Sequence, residues 1–250
     1  MTRNVVVTGG ASGIGRACAE YFVAEGDRVF ITGRRSGLLN EISKAIGVEA
    51  VAFDAADPLA VAAALNRLPE TVDVLVNNAG GNTDLSRTDS LSSELLSDPV
   101  VRLTDVASRW QANFESNVLS AVLVTEALVE RFSDQARIIT IGSIAARTGG
   151  GGSYGAAKSA IEAWTSDLAR SLGPRKITAN VVAPGFVENT EFFHGKLSDE
   201  RRTQLADATF TKKVGRPSDI AAAVVFLASA GAGHITGQVI PVNGGAHLAR

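Results

Sequence analysis

Residues 154–158 read YGAAK, a stretch that places a tyrosine four positions before a lysine. If this stretch is helical, Tyr154 and Lys158 lie on one face, because residues four apart in a helix are neighbours. A free tyrosine has a pKa of about 10, and a nearby cation favours its phenolate form. The pair therefore indicates an acid or base that works near neutral pH, although solvated tyrosines and lysines are also common on protein surfaces.

A glycine-rich stretch, TGGASGIG at residues 8–15, lies between the first predicted strand and the first predicted helix. Gly9, Gly13 and Gly15 permit a tight turn and a close approach of the backbone to a ligand. The N-terminus of the following helix offers free N–H groups and a positive dipole end to a pyrophosphate. A tight turn can be purely structural, but its place in the first strand–helix–strand unit predicts dinucleotide binding.

The second predicted strand ends in ITGRR, which bears on the choice of cofactor. Gly33 stands where an acidic side chain usually holds a free ribose 2′-hydroxyl, and Arg34 and Arg35 follow it. A guanidinium can bind a 2′-phosphate through two hydrogen bonds, so NADP(H) is favoured over NAD(H), unless one arginine merely solvates a loop. Asp54, at the end of the third strand, either contacts the adenine amino group or caps the helix near Pro58.

Short β-branched runs alternate with longer stretches of helical periodicity along the chain. The strands are continuous apolar runs, as expected when helices cover both faces of a sheet. The alternation predicts an α/β fold with a single-domain, Rossmann-type, doubly wound parallel sheet of about seven strands and helices on both faces. Two of the predicted helices are long, near residues 105–132 and 153–172. The first helix is expected to stop at Gly26.

Two segments interrupt this alternation. Residues 81–109 are polar and rich in serine and threonine, and residues 186–213 are charged with interspersed aromatic side chains. Long irregular segments in a compact domain often form binding loops or lids. We therefore expect residues 81–109 to form an insertion near the cleft and residues 186–213 to form a lid over the substrate.

Composition limits the classes of protein. The chain has 250 residues, 45% hydrophobic and 20% charged, with a formal net charge of −2, which predicts one globular domain spanning residues 1–250. The absence of a basic stripe argues against a nucleic-acid partner. The single cysteine, Cys18, excludes an intramolecular disulfide and a cysteine-rich metal site, and the three histidines show no metal-binding spacing, so no metal is expected.

The same composition bears on location. The N-terminal residues lead almost directly into a strand without a long apolar leader, and no apolar run reaches membrane-spanning length. A cytoplasmic protein without membrane contact is therefore expected.

Taken together, the motifs resemble the short-chain dehydrogenase/reductase family over nearly the whole chain, and in particular its 3-oxoacyl-acyl-carrier-protein reductases and related ketoreductases. The matching elements occur in order: TGGASGIG (8–15), NNAG (77–80), Asn117, Ser143 in TIGS, YGAAK (154–158), NVVAPG (180–185) and ITGQVIPVNGG (235–245). The chain departs from the family pattern around the cleft, where residues 81–109 are long and the loop before Tyr154 is short. The threonine that often contacts the nicotinamide carboxamide is displaced or replaced, and Thr190 is a candidate for its role.

The resemblance implies a catalytic set of Asn117, Ser143, Tyr154 and Lys158. Tyr154 would be the catalytic acid or base, and Lys158 would lower its pKa while holding the nicotinamide ribose. Ser143 would hydrogen-bond the substrate carbonyl oxygen. Asn117 would occupy a helix irregularity and order a water in a proton relay.

The cofactor site combines the motif-based residues with those that the resemblance implies. By this resemblance, Asn78, Ala79 and Gly80 would line the adenine-ribose side. Pro184, Gly185 and Val187 would line the nicotinamide side. The predicted cofactor-binding residues are Gly9, Ser12, Gly13, Ile14, Gly15, Arg34, Arg35, Asp54, Ala55, Asn78, Ala79, Gly80, Tyr154, Lys158, Pro184, Gly185 and Val187.

The implied activity is NADPH-dependent reduction of a ketone or aldehyde to an alcohol, with Tyr154 as the proton donor. An acyl-thioester-borne or natural-product ketone is the favoured small-molecule substrate. The alternatives are an alcohol dehydrogenase working in the oxidative direction and a non-catalytic dinucleotide-binding sensor or scaffold. A sensor would not need the complete catalytic set. The family further implies a homodimer or homotetramer, with its interface expected at the two long helices.

Overall fold

The computed structural model describes residues 2–86, 97–149, 151–193 and 197–248, with the side chain of Phe193 excepted. Seven strands in this part of the chain form one parallel sheet in the order β3-β2-β1-β4-β5-β6-β7. The predicted sheet is therefore confirmed. The strands are β1 Asn4–Thr8, β2 Arg28–Gly33, β3 Glu49–Ala52, β4 Val72–Asn77, β5 Phe132–Ile141, β6 Thr178–Pro184 and β7 Val239–Val242.

Helices connect the strands. The described α-helices are α1 Gly13–Ala24, α2 Ser36–Ile46, α3 Pro58–Ala64, α4 Thr83–Ser86, α5 Pro99–Phe114, α6 Ser120–Leu128, α7 Ala145–Thr148, α8 Gly152–Leu172, α9 Asp199–Asp207 and α10 Pro217–Leu227. A π-helical turn, Glu115–Leu119, joins α5 to α6, and short 3₁₀ turns span Leu65–Arg67, Val129–Arg131, Gly173–Arg175, Glu191–Phe193 and Ala230–Ala232.

Successive side chains of β1, an interior strand, point to opposite faces of the sheet and meet different helices. Val5 and Val7 pack in a core with α1, α2 and α10, whereas Val6 packs in a second core with α3, α6 and α8. All three valines are fully buried. A strand covered on both faces needs an unbroken apolar sequence, which is why the strands show no alternation of polar and apolar residues. The prediction of helices on both faces is confirmed.

Several predicted boundaries differ from the observed ones. Asp98 caps α5 by accepting a hydrogen bond from the amide of Val100 at 2.7 Å, so this helix begins before residue 105, where the sequence placed it. Phe132, expected in a helix, begins β5. The helix cap near Pro58 is Asp57, which accepts from the amide of Leu59 at 2.9 Å, so that alternative for Asp54 was wrong.

The two irregular segments contain regular structure. Residues 81–109 include α4 and the first three turns of α5, so the later part of the predicted insertion is helix. Residues 87–96, which carry most of the SLSSELLS stretch, lie outside the described residues. Residues 186–213 include the Glu191–Phe193 turn and α9, and residues 194–196 again lie outside the description. The first helix ends before Gly26, as predicted, and Gly26 has a φ of 85°.

Because β4 is buried, shortening one of its apolar side chains should lower the free energy of unfolding. Leu75 is fully buried, whereas Leu59 at the start of α3 is 80% exposed. We expect Leu75→Ala to lower the free energy of unfolding by about 2–5 kcal/mol, because it leaves a cavity in the sheet. Leu59→Ala should change it by less than about 0.5 kcal/mol. Urea unfolding of both variants measures the difference, and equal losses would contradict the assigned core.

Candidate active site

The glycine-rich loop after β1 forms a narrow cradle at the N-terminus of α1. Gly9 and Gly13 have φ values of 64° and 52°, which glycine adopts without strain. A Cβ on Gly15 would collide with the carbonyl oxygen of Gly9. The first turn of α1 carries no acidic side chain, and its N-cap residue, Ser12, makes no side-chain cap hydrogen bond. The positive end of this helix is thus suited to a phosphate group.

Hydrogen bonds join this loop to the segment after β4. The Thr8 hydroxyl accepts from the amides of Asn78 and Ala79, both at 3.0 Å. The Asn78 side-chain amide donates to the carbonyls of Thr8 at 3.0 Å and Gly9 at 3.1 Å. Since β1 and β4 are adjacent in the sheet, these bonds hold the glycine loop and the NNAG segment at one edge. The structure brings together these predicted cofactor residues, as the order of the strands requires.

The arginines after β2 lie beside the glycine loop. Arg35 forms a two-point ion pair with Glu191 and donates to the Ser12 hydroxyl at 3.2 Å. Its hydrogen bond with Glu191 raises the pKa of the Arg35 guanidinium. Arg34 lies 4.0 Å from Asp54, whose other carboxylate oxygen accepts from the amide of Ala56. The predicted determinants of cofactor choice therefore occupy one edge, together with Glu191, which the sequence did not single out.

Tyr154 and Lys158 lie together on α8, as the four-residue spacing predicted. Their side chains are buried, and the Lys158 ammonium lies 5.8 Å from the centre of the Tyr154 ring. Lys158 donates to the carbonyl oxygen of Ile141, at the end of β5, at 2.8 Å. This bond ties the first part of α8 to the carboxyl end of the sheet, so both side chains face the cleft.

Both side chains of this pair have shifted pKa values. Burial raises the pKa of Tyr154 to about 12, and the hydrogen bond with Ser143 acts in the opposite direction without overcoming it. Burial lowers the pKa of Lys158 to about 8. Burial therefore outweighs the hydrogen bond with Ser143, and the lowering of the Tyr154 pKa by Lys158 stays a prediction. The ring of Phe192 contributes to that burial, with its centre 5.5 Å from that of Tyr154.

Asn117 lies in the π-helical turn between α5 and α6, so the predicted helix irregularity is confirmed. Its Oδ1 accepts from the amide of Gly81 at 3.0 Å, and its Nδ2 donates to the carbonyl of Gly81 at 2.8 Å. A Cβ on Gly80 would lie only 2.6 Å from Asn117 Oδ1. Asn117 thus fixes the backbone beyond NNAG, and its water-ordering role stays a prediction.

The remaining predicted residues lie beyond β5 and β6. Ser143 follows β5, hydrogen-bonds with Tyr154 and accepts from the amide of Ala145 at 3.1 Å. Pro184 ends β6 and accepts from the amide of Ile144 at 3.0 Å, which brings the two strand ends together. Thr190 lies elsewhere, because its methyl group faces Gly13 of the glycine loop and its hydroxyl donates to the carbonyl of Val187. Its predicted carboxamide contact thus gains no support.

Other predicted cofactor residues accompany these contacts. Each lies in or beside the glycine loop, at the end of β3, or just after β6. They are Ile14 within α1, the buried Ala55, Gly185, whose amide donates to the carbonyl of Val242 at 3.3 Å, and the buried Val187.

A hydrogen-bond network near Tyr154 was not predicted from the sequence. Asn113 Nδ2 donates to the Ser153 hydroxyl at 2.9 Å, and that hydroxyl donates to Asp84 Oδ2 at 3.2 Å. The carbonyl of Asn113 accepts from Asn117 Nδ2 at 2.9 Å. This network joins α4, α5 and α8 next to Tyr154. The sequence signals were weak, namely the place of Ser153 beside Tyr154 and the four-residue spacing of Asn113 and Asn117.

The described residues contain neither a metal-binding cluster nor a membrane-spanning helix. They contain no group of three or more histidine, cysteine, aspartate or glutamate side chains that could hold a metal ion. No helix in this part of the chain has the length and apolar character needed to cross a membrane.

Known proteins resemble this chain over almost its full length. The family model described as Enoyl-(Acyl carrier protein) reductase matches residues 9–247. The 3-oxoacyl-[acyl-carrier-protein] reductase FabG of Escherichia coli is 34% identical over 252 residues, covering 97% of this chain and 96% of the relative.

Solved structures give the same picture. The short-chain dehydrogenase/reductase SDR:Glucose/ribitol dehydrogenase of Brucella melitensis has a TM-score of 0.81 at 27% identity, covering 99% of this chain and 97% of that chain. A short chain dehydrogenase of Burkholderia cenocepacia in complex with NADP has a TM-score of 0.79 at 32% identity, with coverages of 98% and 97%. The family resemblance inferred from the motifs is confirmed.

The hydrogen bonds accepted by the Thr8 hydroxyl should make a measurable contribution to the free energy of unfolding. In Thr8→Val the amides of Asn78 and Ala79 lose their acceptor, and we expect the free energy of unfolding to fall by about 1–3 kcal/mol. Thr178→Val is the matched control, because the buried Thr178 hydroxyl has no hydrogen-bond partner among the described residues. That change should be neutral within about 0.5 kcal/mol. Urea unfolding compares the two, and equal effects would contradict this contribution.

Burial of Lys158 predicts a pH dependence of stability. Its pKa is about 8 in the folded protein, against 10.5 for a free lysine, so between these values the unfolded chain binds more protons. The free energy of unfolding of the wild type, relative to Lys158→Met, should therefore rise by about 2 kcal/mol as the pH increases from 8 to 10. The comparison stops at pH 10, because the unfolded lysine, with its pKa of 10.5, also loses its proton above that value. Urea unfolding across this range measures it, and a constant difference would mean that the ammonium keeps its ordinary pKa.

Proposed function

Because the chain belongs to the short-chain dehydrogenase/reductase family, we propose that it reduces a ketone or aldehyde carbonyl to an alcohol with NADPH. The observation that carries the proposal is the buried Tyr154, hydrogen-bonded to Ser143 and next to Lys158 on the same helix. This arrangement is suited to donating a proton to an oxygen atom that gains negative charge.

The residues at the edge of the sheet fit a phosphorylated dinucleotide. The glycine cradle and the N-terminus of α1 would hold the pyrophosphate, since the turn packs so closely that Cβ atoms on Gly9 or Gly15 would collide with the loop itself or with Asn78. Arg35 would bind the 2′-phosphate with Arg34 nearby, because a guanidinium fork matches phosphate oxygens. A neighbour of the same family has NADP bound, in agreement with this assignment.

The chain's own residues supply the acid–base chemistry. Bound NADPH supplies the hydride. The hydroxyl groups of Ser143 and Tyr154 are placed to hydrogen-bond the carbonyl oxygen, and Tyr154 would pass its proton to that oxygen as charge develops. Lys158 would hold the nicotinamide ribose and, together with the cationic oxidised nicotinamide, would offset the burial that now raises the pKa of Tyr154.

A β-ketoacyl thioester is the substrate class that we favour. The relative at 34% identity is a 3-oxoacyl-[acyl-carrier-protein] reductase, and it covers nearly the whole chain. The family model instead carries the description Enoyl-(Acyl carrier protein) reductase, an activity on a carbon–carbon double bond. Two hydroxyl donors at one point suit the alkoxide of a reduced ketone. Residues 81–109 and 186–213 flank the site as insertion and lid in this proposal, and the substrate would lie between them.

We further propose that the protein is a cytoplasmic homodimer or homotetramer. Three large apolar side chains of α5 are exposed, namely Leu103, Trp110 and Phe114 at its last position. These positions lie seven and eleven residues apart, on one side of the helix. An exposed apolar stripe of this kind is typical of a contact with another protein surface.

Cofactor titration followed by a substrate comparison tests the proposed function. Wild-type protein should bind NADPH more tightly than NADH, measured by nicotinamide fluorescence. It should then oxidise NADPH with acetoacetyl-coenzyme A and not with crotonyl-coenzyme A, the matching enoyl thioester. A preference for NADH would turn the search towards alcohol oxidation, and binding without turnover of any carbonyl would favour a sensor.

Substitution of the tyrosine isolates the proton step. Tyr154→Phe should keep NADPH affinity within a few-fold while turnover falls by about 10²–10⁴-fold, because only the hydroxyl is removed. Tyr21→Phe is the control, since Tyr21 is the chain's other tyrosine and is 39% exposed on α1. It should retain full activity. Undiminished turnover in Tyr154→Phe would exclude the mechanism.

A further inference from the structure

The Glu191 carboxylate is hydrogen-bonded to the guanidinium of Arg35, the group that would bind the 2′-phosphate. Arg35 Nη1 lies 2.9 Å from Glu191 Oε1, and Arg35 Nη2 lies 2.8 Å from Glu191 Oε2. Ser12 joins the pair, with its hydroxyl 3.4 Å from Glu191 Oε2 and 3.2 Å from Arg35 Nη2. Both oxygens of one anion thus meet both terminal nitrogens of the fork, which is also the way a guanidinium binds phosphate.

The competition between the two anions favours phosphate. Glu191 and Arg35 are both more than half exposed, and an exposed ion pair changes an equilibrium by less than about fivefold. A phosphate carries a charge of about −1.5 to −2 and three acceptor oxygens, against a single charge on the carboxylate. A cofactor with a 2′-phosphate can therefore displace Glu191 from Arg35. A cofactor without that group brings nothing to replace it.

The same short turn reaches the catalytic tyrosine. Glu191 and Phe192 are consecutive in the Glu191–Phe193 turn. While the Glu191 carboxylate is on Arg35, the ring of Phe192 meets the Tyr154 ring edge-on, with the ring centres 5.5 Å apart. Thr190, one residue earlier, packs against Gly13 of the glycine loop. Three consecutive residues thus cover the phosphate end and the chemical end of the site at once.

We propose that Glu191 is a specificity-determining residue that stands in for the cofactor's 2′-phosphate, and that its displacement from Arg35 withdraws Phe192 from Tyr154. This inference rests on the proposed function, since it takes Arg35 as the 2′-phosphate site. Glu191 lowers the affinity for NADPH, because it competes with the 2′-phosphate for Arg35. In return, Tyr154 is uncovered only when a 2′-phosphate has displaced Glu191. The carbonyl substrate then reaches Tyr154 after NADPH is bound.

Binding of 2′,5′-ADP tests the competition without any catalytic step. This probe carries the 2′-phosphate but has no nicotinamide, and 5′-AMP is its counterpart without the 2′-phosphate. By calorimetry, Glu191→Gln should bind 2′,5′-ADP about 3- to 5-fold more tightly than the wild type, with 5′-AMP affinity changed less than about twofold. In an Arg35→Ala background the gain should disappear, because the shared partner is gone.

Glu188→Gln is the matched control. Glu188 lies three residues earlier in the same segment, and it pairs with Arg202 and Arg216 rather than with Arg35. Loss of this ion pair should leave 2′,5′-ADP affinity unchanged. Unchanged or weaker binding in Glu191→Gln, or an equal gain in Glu188→Gln, would overturn the assignment to Glu191. Absence of 2′,5′-ADP binding in the wild type and in Glu191→Gln alike would instead remove the proposed NADPH site itself.

Fluorine NMR tests the link to Tyr154. The chain has two tyrosines, so protein labelled with 3-fluorotyrosine gives two signals, and Tyr21→Phe assigns them. Addition of 2′,5′-ADP should shift the Tyr154 signal although the probe has no nicotinamide portion. Glu191→Gln should move that signal towards the ligand-bound position before any ligand is added, and Glu188→Gln should not. A Tyr154 signal that responds to neither change would exclude the coupling.

Discussion

The parallel pairing of β1 with β4 is the constraint on which the site depends. These strands are neighbours in the sheet although about 65 residues separate them in the chain, and the sheet order reverses direction between them. In an open parallel sheet, such a reversal leaves a crevice beyond the carboxyl ends of the strands. Thr8 and Asn78 bridge that crevice by hydrogen bonds, so the glycine loop has a fixed partner. The predicted cofactor and catalytic residues lie beyond the carboxyl ends of β1, β4 and the strands beside them.

Burial shifts the pKa values of Tyr154 and Lys158 in opposite directions. Loss of hydration disfavours the charged form of each group, which raises the pKa of Tyr154 and lowers that of Lys158. Burial therefore favours the neutral forms of both side chains, which the four-residue spacing alone does not indicate. In the proposed reaction, the positive charge of the oxidised nicotinamide would act against the effect of burial on Tyr154.

Much of the fold follows from local sequence, and part of the site does too. The seven strands could be predicted because a doubly covered strand must be apolar throughout, as in β1 and β6. The motif residues Tyr154 and Lys158 lie together because helical periodicity brings positions four apart to one side. Boundaries such as that of α5 were less predictable, since its cap, Asp98, lies in a polar stretch that also fits a loop.

The sequence by itself thus determined the order of strands and helices, the glycine-rich turn and the pairing of Tyr154 with Lys158, because these depend on short-range periodicity and on residue type. Only the tertiary structure decided the degree of burial of Tyr154 and the contacts of Glu191 with Arg35. Those residues are 156 positions apart in the chain, and no local pattern relates them. Burial and long-range ion pairs arise from the packing of separate segments, and that packing sets the pKa values and the accessibility of the site.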